Sequence, residues 1–266
     1  MKCKICSTES SSWFKERIMH SHLVEYFYCK NCGFLQTEEP YWLEEVYKDP
    51  VSIFDTGAAA RNILVARKLT TLLFFMFYGK GAYVDYAGGF GLLTRLMRDA
   101  GFDYYWTDRY ADNMFSRGFS LKKLGENEKL TAVTSIECFE HLPDPLSSIS
   151  EMFSISDTLI FTTEIMMEPP PEPSDWWYYT FSRGGHISFY SKRTLDYLAC
   201  LFNVKYYKVG FFHIFSRKPI SKFFIFFLRV AVKLNIGFYL SRMILTSKTY
   251  SDYNHIQSRC IDGRKD

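Results

Sequence analysis

The sequence predicts an α/β protein: a sheet with helices on both faces, preceded by a small metal-stapled module and followed by a helical tail. Three observations predict it. Residues 83–108 read strand, glycine turn, helix, strand and terminal acid, the order of the first half of a nucleotide-binding α/β unit. Apolar runs at 131–136, 158–164, 206–209 and 211–215 supply further strands. Two C-x2-C pairs near the start and a strongly apolar, basic stretch after residue 216 stand outside that pattern. The expected division is 1–40, 41–82, 83–216 and 217–266.

The first 40 residues hold Cys3 and Cys6, then Cys29 and Cys32, with 22 residues between the pairs. Four thiolates so spaced suit a tetrahedral, structural zinc site with no open position. Residues 14–28 can form a hairpin between the two knuckles. A segment this short needs such a staple. His20 and His22 are expected on the hairpin surface. Residues 41–50 read as a linker or short helix. Residues 61–77 then carry apolar side chains at helical spacing, among them Ile63, Leu69, Leu72, Leu73 and Phe77. Arg61 and Asn62 either face a bound carboxylate or form a solvated first turn.

The centre of the chain is Val84-Asp85-Tyr86-Ala87 followed by Gly88-Gly89-Phe90-Gly91. Glycines allow a sharp turn and close approach of a ligand to the backbone. The helix that follows, with Leu92, Leu93, Leu96 and Met97, offers free N–H groups and a positive dipole end. The second strand ends in Asp108, 17 positions after Gly91, where an acid can accept hydrogen bonds from ribose hydroxyls.

These residues resemble motif I of the class I S-adenosylmethionine-dependent methyltransferases, D-x-G-x-G-x-G, matched by Asp85, Ala87, Gly89 and Gly91, with alanine in place of the first glycine. A second match is Glu137-Cys138-Phe139-Glu140-His141-Leu142-Pro143-Asp144-Pro145 after the strand at 132–136. The resemblance spans about residues 55–210. It implies a Rossmann-like sheet of seven strands and S-adenosylmethionine as cofactor, bound by Asp85, Ala87, Gly88, Gly89, Gly91, Asp108 and Glu137. In ubiquinone-biosynthesis O-methyltransferases the E-x-x-E-H spacing goes with a divalent cation. The other role for Glu137, Glu140 and His141 is to order the loop and cap the helix that begins at Pro145.

Pro169 to Pro173 stiffen the segment ahead of Trp176-Trp177-Tyr178-Tyr179, an aromatic cluster that serves as an acceptor wall or as core. Gly184-Gly185-His186-Ile187-Ser188-Phe189-Tyr190-Ser191 follows, and Ser191 should cap a helix over 194–202. An imidazole titrating near neutrality suits removal of a hydroxyl proton. His186 is the first candidate and His141 the second. Residues 206–209 and 211–215 read as the two closing strands, and the resemblance implies that they form an antiparallel hairpin at the sheet edge.

After residue 216 the chain turns apolar and basic, and Lys222, Arg229 and Lys233 share one helical stripe. Arg229 interrupts the apolar run, which is too short for a span of about 20 residues. The helix over 219–236 packs on the domain, pairs with another subunit, or touches a membrane surface. Disorder is expected after Ser258.

The totals fit this reading. With 47% hydrophobic residues a full core is available, and a net charge of +3 from 32 basic and 29 acidic residues is too balanced to imply nucleic acid or an anionic membrane as the main partner. Seven cysteines without a leader segment suggest metal or free thiols in the cytoplasm. The expected activity is methyl transfer to a small-molecule acceptor, by analogy a nucleotide sugar or glycan precursor, at oxygen or carbon. The alternatives are a non-catalytic binding module on the same fold and, against the glycine spacing, a nicotinamide-dependent enzyme.

Overall fold

The computed structural model describes residues 1–48, 55–124 and 130–261. In chain order its elements are β1 (Ser11–Ile18), β2 (His22–Tyr28), β3 (Leu35–Thr37), α1 (Leu43–Val46), α2 (Ala58–Phe77), β4 (Ala82–Tyr86), α3 (Leu92–Asp99), β5 (Asp103–Thr107), β6 (Ala132–Ser135), α4 (Pro145–Ile155), β7 (Thr158–Phe161), β8 (Ser188–Phe189), α5 (Lys192–Leu201), β9 (Lys205–Val209), β10 (Phe212–Ser216), α6 (Lys222–Leu234), α7 (Ile236–Ile244) and α8 (Thr249–Ile261).

The chain divides into two compact units. The first comprises residues 51–135, 155–159 and 219–266. Here β4 lies between β5 and β6, parallel to both, with Tyr83 opposite Tyr104 on one side and Ala132 on the other. The strands are apolar over most of their length because both faces are covered; Tyr83, Val84, Tyr104, Ala132 and Val133 are buried. Helix α2 buries Val65, Leu69, Leu72 and Leu73. Helix α7 lies against α2 so closely that a Cβ on Gly237 would meet Thr71 Cα at 2.8 Å. The Phe238 N–H donates to Thr71 Oγ1 at 3.0 Å. Helix α8 is fastened by a buried ion pair, in which Arg98 Nε and Nη2 donate to the two Asp252 oxygens at 2.7 Å each.

The second unit comprises residues 1–50, 136–154 and 160–218. Its antiparallel sheet has the order β1-β2-β3-β8. A cluster of Ile18, Val24, Tyr26, Tyr28, Leu35, Trp42, Met166, Tyr178, Tyr179, Ile187 and Phe189 forms its core. Strands β9 and β10 form an antiparallel hairpin. Ser191 caps α5 in a reciprocal capping box with Thr194.

Among the described residues the mixed sheet has the strand order β5-β4-β6-β7-β10-β9. Six strands are seen among the described residues where seven were expected. Among the described residues, the place beside β5 holds only an isolated parallel bridge from Trp106 to Ser120. The sequence beyond, Leu121-Lys122-Lys123, forms a 3-10 turn instead; it has no alternation of apolar and polar residues that a strand could bury. Residues 125–129 lie outside the described residues.

Helix α6 lies within the helix expected over 219–236, and α7 and α8 follow it. Asn235 adopts a left-handed backbone, φ 55°, between α6 and α7, a conformation asparagine tolerates at a helix end. Helix α8 continues to Ile261, so the disorder expected from Ser258 does not hold as far as the described residues extend.

Candidate functional site

Within the first unit, β4 delivers Asp85 to the end of a buried strand. The chain then reverses through Ala87, Gly89 and Gly91, all at positive φ (57°, 53° and 81°). Ala87 thus holds a conformation glycine would adopt without strain. A Cβ at Gly91 would strike Ser116 Oγ and Asn113 Oδ1 within 2.7 Å, whereas one at Gly89 would meet nothing within 4 Å. The backbone of Gly89 therefore borders open space. Helix α3 starts at Leu92 with no side-chain cap, so its N-terminal N–H groups and dipole are available to a ligand.

Asp108, at the end of β5, stands beside this turn. Its Oδ2 accepts from the Gly89 N–H at 2.9 Å, and its Oδ1 accepts from the N–H groups of Tyr110 and Ala111 at 2.7 and 2.9 Å. Trp106 Nε1 donates to the Gly89 carbonyl at 2.8 Å. Trp106, Asn113 and Ser116 thus shape the turn, and no spacing rule marks them in the sequence.

Asp85 is not presented to solvent. It lies under the turn, with Oδ2 2.8 Å from where a Cβ on Gly88 would sit. Thr94 and Thr134 hydroxyls donate to it at 3.3 and 3.4 Å. Desolvation pushes its pKa up to about 7 despite those two hydroxyls. Arg61 and Asn62 are engaged locally: Arg61 Nη2 pairs with Asp55 Oδ2 at 2.6 Å, and Asn62 Nδ2 donates to the Ala58 carbonyl at 2.8 Å.

A different cluster forms in the second unit. Glu140, His141 and His186 each offer a ligand atom within 4.8 Å of the others. Glu140 is fully buried, and neither carboxylate oxygen has a hydrogen-bond partner. The Tyr178 and Thr163 hydroxyls lie near enough to draw its pKa down, but beyond hydrogen-bond geometry. Burial, then the charge of Glu137, pushes its pKa up to about 8. His141 Nδ1 lies 2.9 Å from the Gly185 carbonyl, and His186 Nδ1 2.7 Å from the Tyr178 carbonyl. A carbonyl only accepts, so both Nδ1 atoms carry protons and both Nε2 atoms keep lone pairs. Burial is the main cause that lowers the pKa of His141 to about 4 and of His186 to about 3. Neither is the near-neutral imidazole expected of a general base.

Glu137 stands apart from that trio. Its backbone has φ 52°, its N–H donates to Thr162 Oγ1 at 2.8 Å, and its Oε1 accepts from the same hydroxyl at 2.9 Å. The aromatic run divides by exposure: Tyr178 and Tyr179 are core residues, and Trp177 is 75% exposed.

The four N-terminal cysteines come together in the second unit. Cys3 Sγ is 3.5 Å from Cys32 Sγ, and Cys6 Sγ is 3.4 Å from Cys29 Sγ. All four lie within 4.8 Å of one another. Sulfurs around one zinc at ~2.3 Å would be about 3.8 Å apart, so the donor set fits a tetrahedral ion. Each knuckle is followed by a residue at positive φ, Ser7 and Gly33. A Cβ at Gly33 would lie 2.2 Å from Ser191 Oγ, so glycine is required there.

A family model described as a methyltransferase domain matches residues 59–207. No curated protein matches the chain in sequence. Among solved structures, the chain is similar to the plantazolicin methyltransferase BpumL in complex with a monoazolic desmethylPZN analog and SAH, with 11% identity over 76% of this chain and 87% of that one and a TM-score of 0.49. It is also similar to the magnesium protoporphyrin IX methyltransferase ChlM from Synechocystis PCC 6803 with bound SAM, with 14% identity over 66% and 90% and a TM-score of 0.39. A third is an O-methyltransferase family protein from Burkholderia thailandensis, with 12% identity over 67% and 63% and a TM-score of 0.43.

Proposed function

Since the chain belongs to the methyltransferase-domain family, we propose that it is an S-adenosylmethionine-dependent methyltransferase that binds this cofactor at the turn between β4 and α3 and methylates a small-molecule acceptor. The observation that carries the placement is Gly89, at positive φ and bordering open space beside the Asp108 carboxylate. Gly89, Gly91 and the start of α3 would take the methionine portion. Asp108 would take the ribose hydroxyls with lone pairs left after its backbone contacts. Asp85, Ala87 and Gly88 hold the turn's shape rather than touch the ligand. When bound, the cofactor supplies an electrophilic methyl group on sulfur, and the protein's task is chiefly to orient its partner.

The acceptor belongs by resemblance to nucleotide sugars or glycan precursors, methylated at oxygen or carbon in the cytoplasm. His186 and His141 offer Nε2 lone pairs as hydrogen-bond acceptors for a hydroxyl, and Glu137 is the further polar group of that region. The four-cysteine cluster holds a structural zinc ion in this reading.

Calorimetric titration with S-adenosylmethionine and, separately, NAD tests it. Binding of the former by the zinc-loaded protein, abolished in Gly89→Arg, is expected. No binding by the wild type, or binding of NAD alone, would overturn it.

A second reading of the Glu140 cluster is favoured by its buried, unpartnered carboxylate: a divalent cation held by Glu140, His141 and His186. Both imidazoles donate Nδ1–H to carbonyls, as metal-bound histidines do. Metal analysis of the wild type and Glu140→Gln decides. A metal equivalent beyond the cysteine site, lost in the variant, supports the cation; identical metal content in the two dismisses it.

A further inference from the structure

Basic charge is unevenly spread. No acidic residue occurs from Tyr197 to Ser251, a stretch with nine Lys and Arg side chains. The remainder of the chain, with 23 cationic and 29 acidic side chains, is net acidic. Helices α6 and α7 lie within this acid-free stretch, and their outward faces are apolar. On α6, Phe223 is 83% and Phe226 64% exposed, and Val230 and Leu234 are exposed as well. On α7, Met243 is 83% and Ile244 66% exposed, with Tyr239 and Leu240 beside them.

Helical spacing sorts α6 into three stripes. Ile225, Leu228 and Val232 are buried, and Phe75 and Phe227 rings meet edge-on at 4.8 Å. Phe223, Phe226, Val230 and Leu234 form the exposed apolar stripe. Lys222, Arg229 and Lys233 form the stripe adjoining it, all exposed. Arg242 is exposed on α7.

We propose that this face of α6 and α7 docks on the surface of an anionic lipid bilayer. The aromatic and aliphatic side chains would enter the headgroup boundary while the cations meet lipid phosphates. The helices lie on the bilayer and do not cross it. Helix α6 has 13 residues, about 20 Å of rise against the roughly 30 Å of a hydrocarbon core. The chain bends by 83° between α6 and α7. One stripe of α6 is already committed to the protein core. A second copy of this chain is a poor occupant. An isologous interface sets the same patch against itself and would bring Lys222, Arg229 and Lys233 face to face with like charges.

Co-sedimentation of the full chain with vesicles tests the proposal, using phosphatidylcholine alone and phosphatidylcholine mixed with phosphatidylglycerol. The wild type should sediment with the mixed vesicles, poorly with the neutral ones, and less as salt is added. Lys222→Gln with Lys233→Gln should lower partitioning about thirtyfold, the equivalent of ~1 kcal/mol per cation at an anionic surface. Phe223→Ser with Met243→Ser should lower it as well. All four positions are exposed, and far-UV circular dichroism confirms that the variants fold. Failure to sediment with mixed vesicles overturns the proposal. So does partitioning that neither variant changes, or a solution dimer that Phe223→Ser dissociates.

Discussion

Replacing Asp85 by asparagine isolates the electrostatics under the glycine turn. Asp85 is 2% exposed, and its carboxyl, with a reference pKa of 3.8, is pushed up to about 7 in the fold, with desolvation the largest cause. Folding therefore favours the neutral acid. That contribution to stability is complete below the unfolded value of 3.8 and is lost as the pH rises toward the folded value of about 7. Between about pH 5 and pH 8 this linkage removes about 2–3 kcal/mol from the wild type, at ~1.4 kcal/mol per pKa unit. An amide cannot ionise, so Asp85→Asn lacks this slope, while Glu140 and the buried histidines contribute equally to both proteins. Guanidinium unfolding followed by tryptophan fluorescence, with zinc held constant, gives both stabilities at both pH values. The wild type should lose about 2–3 kcal/mol more than the variant over that interval. Parallel pH dependences would refute a carboxyl held neutral by burial.

Three further outcomes follow from the geometry. Asp252→Asn leaves buried Arg98 without its two-pronged partner and should cost about 3–5 kcal/mol; a loss below ~1 kcal/mol in thermal unfolding would show that Asp103 and the Tyr104 carbonyl suffice. Ala87→Gly removes a left-handed alanine, a relief of ~1–2 kcal/mol against an entropic cost of about 0.5–1 kcal/mol. Its Tm should therefore hold or rise, and a clear fall would count against the strain. Chelation should erase the near-ultraviolet circular dichroism of the aromatic core around Tyr26 and Tyr179, with zinc restoring it; a spectrum indifferent to chelator would remove the ion from the structural account.

Much of this architecture is legible in the sequence where a local rule acts alone. Ser191 announces α5 because a hydroxyl ahead of Leu195 and Leu198 has one obvious use, and the structure adds the reciprocal bond from Thr194. The run from Asp85 to Asp108 is legible because glycine positions, helix start and strand end all depend on neighbours a few residues away. What depends on distant partners is not. Strand β8 has two residues, too few to show a period, and it exists only because β3 offers an edge. Arg98 and Asp252 are 154 positions apart, and each alone reads as a surface charge. The histidines are legible as functional types, but their low pKa values come from burial, which spacing does not report. Glu137 and Glu140 look equivalent in the motif; Thr162 engages one and leaves the other in the dark of the core. The tail's division into helices turns on Asn235, a residue that often marks a helix end but stands here inside an apolar run.

The pairing of β3 with β8 also orders events during synthesis. Residues 35–37 leave the ribosome about 150 positions before Ser188 and Phe189, which complete their sheet. At translation speeds of about 5–20 residues per second, that is a wait of roughly 8 to 30 seconds. Meanwhile the hairpin has β3 as an open edge, and it lacks Met166, Tyr178, Tyr179, Ile187 and Phe189 from its core. The Cys32 carbonyl still awaits the Thr194 hydroxyl, and the Lys30 carbonyl awaits Arg193. The two cysteine knuckles, in contrast, need only the first 32 residues to close. With zinc on those four thiolates, the nascent N-terminus would have a short-range means of holding its shape while the chain that finishes its sheet is still being made.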